Sequence, residues 1–89
     1  MKMELKRLSE YHAEGYHFKC IRRKGDVGVF EQLRNGVAVA YEVIIIRKNS
    51  NGEYPPTTEE WGKYGWTFTG LPRALKEFEG LCSLRGLSE

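Results

Sequence analysis

Cysteine, histidine and aspartate are scarce in this chain, and their scarcity limits the chemistry that it can perform. Its 89 residues include two cysteines, two histidines and a single aspartate, Asp26. Two cysteines are too few for the disulfide framework of a small secreted domain. Two reduced thiols are therefore the preferred interpretation of Cys20 and Cys82, and one bridge between them is the alternative.

Long apolar runs and a strong charge of one sign are also missing. No run approaches the roughly 18 apolar residues of a membrane span, and the first residues lack the apolar stretch of a signal peptide. We therefore expect no membrane contact and a cytoplasmic location. The net charge is +2 and 40% of the residues are hydrophobic, which argues against disorder and predicts one small domain over residues 1–89.

The spacing of apolar residues in the first half predicts a helix followed by strands. Residues 1–12 show helical spacing and predict a short N-terminal helix, with an edge strand over residues 1–5 as the alternative. Residues 16–23 and 27–33 read as strands, and residues 37–48 have the β-branched content of a central strand. Asn35 and Gly36 predict a hairpin turn, because both residues accept the left-handed conformation of type I′.

The second half predicts a long connection, a short strand and a helix. Two prolines stiffen the connection at residues 55 and 56, and residues 57–60 resemble a capping box. Residues 66–69 alternate as a short strand, and Pro72 suits the first turn of a helix. The apolar stripe of that helix comprises Leu71, Leu75, Phe78 and Cys82, widened by Ala74 and Leu81. The predicted fold class is α+β, an antiparallel meander of three to four strands with the C-terminal helix packed on one face.

Aromatic residues concentrate between positions 54 and 68. Trp66 and Phe68 share one face of the predicted strand, so we expect them to meet the helix. Tyr54, Trp61 and Tyr64 lie in the connection, where two interpretations remain open. In one, the connection folds back over the sheet and these rings extend the core. In the other, they form an exposed patch that binds a partner, because Trp and Tyr often anchor protein interfaces.

Basic residues are enriched in the first 25 positions, where seven bases stand against three acids. A phosphate-binding surface would form if neighbouring strands brought together Arg22, Arg23, Lys24, Arg47 and Lys48. The alternative is a solvated strand edge, on which Lys and Arg discourage aggregation. An uncovered edge could also pair with a second copy of the chain, so monomer and homodimer both remain open.

Arrangements typical of catalysis or metal binding are poorly represented. Glu59 and Glu60 are adjacent, so on a helical turn they point about 100° apart and do not form a facing acid–base pair. Four potential zinc ligands lack the paired spacing of a zinc module: His12, His17, Cys20 and Cys82. The sequence therefore predicts no enzyme activity, no metal site and no cofactor.

Several segments of the chain together resemble one family. They are YEVIIIR at 41–47, YP at 54–55, EWGKYGWTF at 60–68, and then Ala74, Leu75 and Phe78. Over residues 16–82 the chain resembles small, mostly uncharacterised proteins encoded by bacteriophages and integrated mobile elements. In that group a YEV-type strand precedes a proline-containing loop, a Trp-Gly-x-Tyr-x-Trp box and a short closing helix. The resemblance implies a phage or prophage origin, a bacterial host cell as the setting, and no catalytic residues.

These observations predict a non-enzymatic protein-binding module with Trp61, Tyr64 and Tyr54 as partner-binding residues. The resemblance implies that the partner is a host or phage protein, with host defence machinery included. Nucleic-acid binding through the basic strand residues is the alternative function.

Overall fold

Antiparallel strands and one α-helix form the frame of the protein in a computed structural model that describes residues 8–87. The elements in chain order are β1 (Glu10–Ala13), β2 (Tyr16–Lys24), β3 (Val27–Arg34), β4 (Val37–Ile45), β5 (Arg47–Asn49), β6 (Gly52–Tyr54), a 3-10 turn (Thr58–Glu60), β7 (Gly65–Phe68) and α1 (Leu71–Leu84). The main sheet is fully antiparallel with the strand order β1-β2-β3-β4-β7, and β5 and β6 form a separate hairpin. The fold class is therefore α+β, as predicted.

Two tight turns set the register of the central strands. Asn35 and Gly36 join β3 to β4 with φ angles of 52° and 79°, the left-handed conformation that the sequence predicts. Gly25, at φ 56°, lies in the turn between β2 and β3. The observed turns and the antiparallel pairing of β2, β3 and β4 confirm the predicted meander.

The sheet carries a hydrophobic core on each face. Val43 and Ile45 of β4 join the first core, which lies between the sheet and α1. Ile44 and Ile46 join the second core on the opposite face, together with Phe30. Alternate residues of β4 thus serve different cores, so the apolar half of this strand is covered on both faces.

Helix α1 packs its predicted apolar stripe against the first core. Ala74, Phe78 and Cys82 are buried, and Leu71 and Leu75 pack partly buried beside them. Pro72 lies in the first turn, where its missing N–H costs no intrahelical hydrogen bond. This 14-residue helix is the single α-helix among residues 8–87, and it is neither long nor apolar enough to cross a membrane.

The predicted N-terminal helix is wrong over the residues that the structure describes. Glu10–Ala13 forms strand β1, which pairs with β2 through a two-residue turn at Glu14 and Gly15, at φ 52° and 83°. The Tyr11 ring stacks on Phe18 with centroids 4.6 Å apart, so a tertiary contact overrides the helical spacing. The rest of that prediction, and the alternative edge strand over residues 1–5, lie outside the described residues.

The prediction of three to four strands is also too low. The main sheet has five strands because β1 extends it, and the hairpin of β5 and β6 occupies part of the predicted long connection. The predicted strand 37–48 is divided at Ile46, whose N–H donates to the Asp26 carbonyl at 2.6 Å. The capping box is present: the Thr57 N–H donates to Glu60 Oε1 at 3.0 Å and stabilises the 3-10 turn.

Candidate functional site

A groove of about 650 Å³ opens on the face of the sheet that lies away from α1. Strand β1 and its turn supply part of the lining, the sheet supplies Gln32, Glu42 and Thr67, and residues 55–61 supply Pro55, Pro56 and Trp61. Its volume lies within the range of pockets that bind small molecules or peptide segments. The groove is therefore the main candidate for a functional site.

Aromatic rings form much of the groove near β1. Tyr11 stacks on Phe18 and lies tilted against Phe30, with ring centroids 5.5 Å apart. Tyr16 meets the edge of Phe18 at a centroid distance of 6.3 Å. Because these contacts fix the rings before any ligand arrives, little side-chain entropy would be lost on binding.

Glu42 is a buried carboxylate in this groove. It is 8% exposed and follows Ala40 on the same face of β4. The Tyr11 hydroxyl donates to Glu42 Oε1 at 2.6 Å. Among residues 8–87, Tyr11 is the one hydrogen-bond donor to Glu42, so the other carboxylate oxygen remains available to a ligand.

The surroundings shift the ionisation of both members of this pair. Burial raises the pKa of Glu42, the hydrogen bond from Tyr11 lowers it, and the nearby charge of Glu14 raises it again, with a net upward shift. Burial, followed by the contact with Glu42, raises the pKa of the Tyr11 hydroxyl far above its ordinary value. Tyr11 therefore stays protonated and acts as the donor.

Replacing Glu42 with glutamine should stabilise the protein near neutral pH. The folded-state pKa of Glu42 is raised above its ordinary value of 4.5, so the free energy of unfolding falls as pH rises through this interval. Glutamine keeps an oxygen for the Tyr11 hydroxyl and removes the titrating group. Urea denaturation at about pH 4 and about pH 7 should show that Glu42→Gln increases the free energy of unfolding, and that the increase is larger at the higher pH. An equal effect at both pH values would contradict this account.

Trp61 borders the same groove and owes its position to a glycine. The residue follows the 3-10 turn and forms an isolated parallel bridge with Gly65. A Cβ at position 65 would lie 2.6 Å from the Trp61 ring, so any larger residue there would displace the indole. Trp61 nevertheless remains 37% exposed. The close approach of the Trp61 ring thus explains why the WGKYGW segment has a glycine at position 65.

The other two predicted partner-binding residues lie apart from the lining of the groove. Tyr64 is half-buried, packs against the first core and lies under the Arg47 guanidinium, 4.2 Å from Cζ to the ring centroid. Tyr54 is half-buried in β6, opposite Arg47 in the hairpin. Of the three predicted residues, Trp61 alone lines the groove.

The five predicted basic residues are divided among different parts of the surface. On the α1 side, Arg22 and Lys24 lie 3.3 and 3.4 Å from the carboxylate of Glu79. Arg23 instead binds a carboxylate of β6. Residues 47 and 48 both lie in β5, where Arg47 is 3.2 Å from Glu60 and Lys48 is exposed.

Arg23 and Glu53 form a largely buried ion pair between β2 and β6. Two guanidinium nitrogens donate to the two carboxylate oxygens at 2.7 and 2.6 Å, and the side chains are 13% and 16% exposed. Glu53 Oε1 also accepts the Leu8 N–H at 2.8 Å. The pair therefore ties β2, the β5–β6 hairpin and the segment before β1 together. The hydrogen bonds to Glu53 raise the pKa of Arg23.

The four potential zinc ligands of the sequence do not converge. The rings of His12 and His17 stack at 4.4 Å across β1 and β2. Cys20 packs against the second core, whereas Cys82 is buried in the first, where burial raises the pKa of its thiol. The two cysteines thus lie in different cores, which agrees with the preferred interpretation of two reduced thiols without a bridge between them. No group of three or more potential metal ligands occurs within residues 8–87.

Glu42 and Tyr11 are the site residues that the sequence analysis missed. The signal for Glu42 was present, because it is the one charged residue in the stripe that runs from Ala38 and Ala40 to Ile44 and Ile46. A carboxylate in an otherwise apolar stripe must either reach water or find a donor. Tyr11 had no comparable signal, since its segment was read as a helix.

Comparison with protein-family models, with curated proteins and with solved structures found no match.

Proposed function

We propose that the protein is a non-enzymatic binding module that holds a segment of another protein in the groove. The observation that carries this proposal is the position of Trp61, which lines the groove and keeps 37% of its surface exposed. A half-exposed indole beside a preformed cleft is typical of an interface anchor, because Trp gains much apolar burial on binding. Its close packing on Gly65 holds the ring in place without covering it.

The contacts of Glu42 support a binding role better than a catalytic role. A general acid or base needs a second group directed at the same substrate atom. The Tyr11 hydroxyl, which contacts Glu42, donates its hydrogen bond to the Glu42 carboxylate itself and stays protonated. A carboxylate held in this way is suited to recognising a ligand.

The resemblance of residues 16–82 to small phage and prophage proteins favours a partner from the bacterial host or from the phage. Host defence machinery is the first class of partner to examine. The bacterial cytoplasm is the setting that follows from this proposal.

Nucleic-acid binding is the less supported alternative. Phosphate contacts need cations that can exchange their present partners for phosphate. Arg22 and Lys24 share the carboxylate of Glu79. Arg23 and Arg47 lie within ion-pair distance of two other carboxylates, those of Glu53 and Glu60. A titration with DNA and RNA at two salt concentrations tests this alternative. For each duplex phosphate contacted, log affinity falls by about 0.9 per tenfold increase in salt concentration.

Replacing Trp61 with alanine should reduce partner capture from a bacterial lysate about tenfold or more, because the main anchor of the interface is lost. Capture on immobilised protein followed by mass spectrometry measures this reduction. Trp61→Phe keeps an aromatic ring on Gly65 and should retain part of the binding. Leu84→Ala, which truncates an 85% exposed residue at the end of α1, is the matched control and should bind as the wild type does.

Thermal unfolding followed by circular dichroism separates a binding defect from a folding defect. A Trp61→Ala variant that melts near the wild-type temperature and still captures the same protein would overturn the proposed function. If Trp61→Ala unfolds, two other groove variants decide: Trp61→Phe and Thr67→Arg. Undiminished partner capture by both folded variants would also refute the proposed function.

A further inference from the structure

The groove carries negative charge in a chain whose net charge is positive. Among the described residues that line it, Glu14 and Glu42 are acidic and none is Lys or Arg. The chain as a whole has 14 basic and 12 acidic residues. The lining therefore differs in sign from the overall charge, and it complements a cationic ligand.

The buried carboxylate is the centre of this complementarity. Glu42 is buried, with 8% of its surface exposed, and its one hydrogen-bond donor among residues 8–87 is the neutral Tyr11 hydroxyl. A buried carboxylate without a cation is costly, as the raised pKa of Glu42 reflects. A cation that entered the groove would offset this cost and would find an unoccupied carboxylate oxygen as its acceptor.

The walls of the groove suit the aliphatic and planar parts of an arginine side chain. Trp61 and Tyr11 present aromatic rings, and Pro55 and Pro56 present apolar surface. Arginine stacks on aromatic rings and is more weakly hydrated than lysine, so it enters partly buried ion pairs at lower cost.

The protein already contains this type of contact elsewhere. The Arg47 guanidinium lies 4.2 Å from the centre of the Tyr64 ring, and its Nε lies 3.2 Å from a carboxylate oxygen of Glu60. An aromatic ring and a carboxylate thus hold one arginine in the hairpin region. The groove offers the same pair of groups, with the cation missing among the described residues.

We propose that the groove binds an arginine side chain from an extended segment of a partner protein, with Glu42 as the counter-ion and Trp61 as the aromatic wall. This inference rests on the proposed function and specifies the chemistry of the partner. The volume of about 650 Å³ leaves room for the residues that flank the arginine. Trp61 contacts the segment, and the Tyr11 hydroxyl holds the Glu42 carboxylate in place.

Capped five-residue peptides test the proposal with the full chain. One probe has arginine at its centre, flanked by glycine and serine, and the second has citrulline, which keeps the shape and removes the charge. Amide chemical shifts of the ¹⁵N-labelled protein are followed up to about 10 mM peptide. The arginine probe should shift the resonances of Tyr11, Gln32 and Thr67, and the citrulline probe should bind about tenfold more weakly or worse.

Variants with one charge removed identify the counter-ion. Glu42→Gln, which retains an acceptor for Tyr11, should weaken binding of the arginine probe about tenfold. Glu77→Gln removes the same charge from α1 on the other side of the sheet and should leave the affinity unchanged. Equal binding of both probes, equal effects of both variants, or no shifts at about 10 mM would each overturn the proposal.

The same measurements separate this inference from the proposed function. If Trp61→Ala abolishes partner capture while the arginine probe fails, the groove binds its partner by other chemistry and only the arginine proposal falls. If Trp61→Ala and Glu42→Gln both leave capture and probe binding unchanged, both proposals fall.

Discussion

Replacing Phe78 with alanine should lower the free energy of unfolding by about 4 kcal/mol. The ring is completely buried between α1 and the sheet, where it packs with Val27, Val29 and Val43. Its loss removes apolar burial and leaves a cavity that a well-packed core closes only in part. A domain of this size has a total stability on the order of 5 kcal/mol, so the variant should be close to unfolding at 25 °C.

Two cationic side chains make this position more sensitive. The Arg22 guanidinium and the Lys24 ammonium lie 5.5 and 5.8 Å from the centre of the Phe78 ring. Both contacts disappear with the ring. Urea denaturation measures the loss, with Phe78→Leu as a milder variant and Leu84→Ala as the exposed control. A loss below about 1 kcal/mol would mean that α1 does not depend on this contact for its docking.

Replacing Glu53 with alanine should cost about 3 kcal/mol, the second largest effect that we expect. Glu53 is 16% exposed, and its carboxylate accepts two hydrogen bonds from Arg23 and one from the Leu8 N–H. Alanine would leave a largely buried guanidinium without its counter-ion. The hairpin of β5 and β6 would then lose its main polar connection to β2.

Glu79→Ala provides the matched control for Glu53→Ala. Glu79 also lies near two cations, Arg22 and Lys24, but its side chain is 51% exposed. Solvent screens such pairs, so the expected loss is below about 1 kcal/mol. Equal losses for the two variants in urea denaturation would contradict the special role of the Arg23–Glu53 pair.

The parts of the fold that could be predicted from the sequence depend on local chemistry. Asn35 and Gly36 specify their turn because few other residues accept positive φ. Pro72 and the apolar spacing after it define α1, and the capping box at Thr57 and Glu60 defines the 3-10 turn. In each case the residues that determine the element lie within it.

The parts that could not be predicted depend on distant residues. Residues 10–13 fit a helix by spacing, but Tyr11 gains a stacked ring on Phe18 and an acceptor on Glu42 when the segment is a strand. The hairpin of β5 and β6 is held by Arg23, thirty positions before Glu53. No local pattern contains such information.

The candidate site follows the same division. Trp61 could be selected from the sequence because aromatic residues in a connecting segment are frequent anchors. Its position depends on Gly65, whose bare backbone lets the indole pack against β7. The sequence shows Glu42 as the one charged residue of an apolar stripe, but its hydrogen-bond donor, Tyr11, lies 31 positions away.

Strand β4 restricts how the length of this chain can vary. Its neighbouring side chains Ile44 and Ile45 belong to opposite cores, and Glu42 belongs to the groove. Inserting or deleting one residue within β4 would send each subsequent side chain to the wrong face, exchanging both cores and the groove at once. Related sequences should therefore align across β4 without gaps.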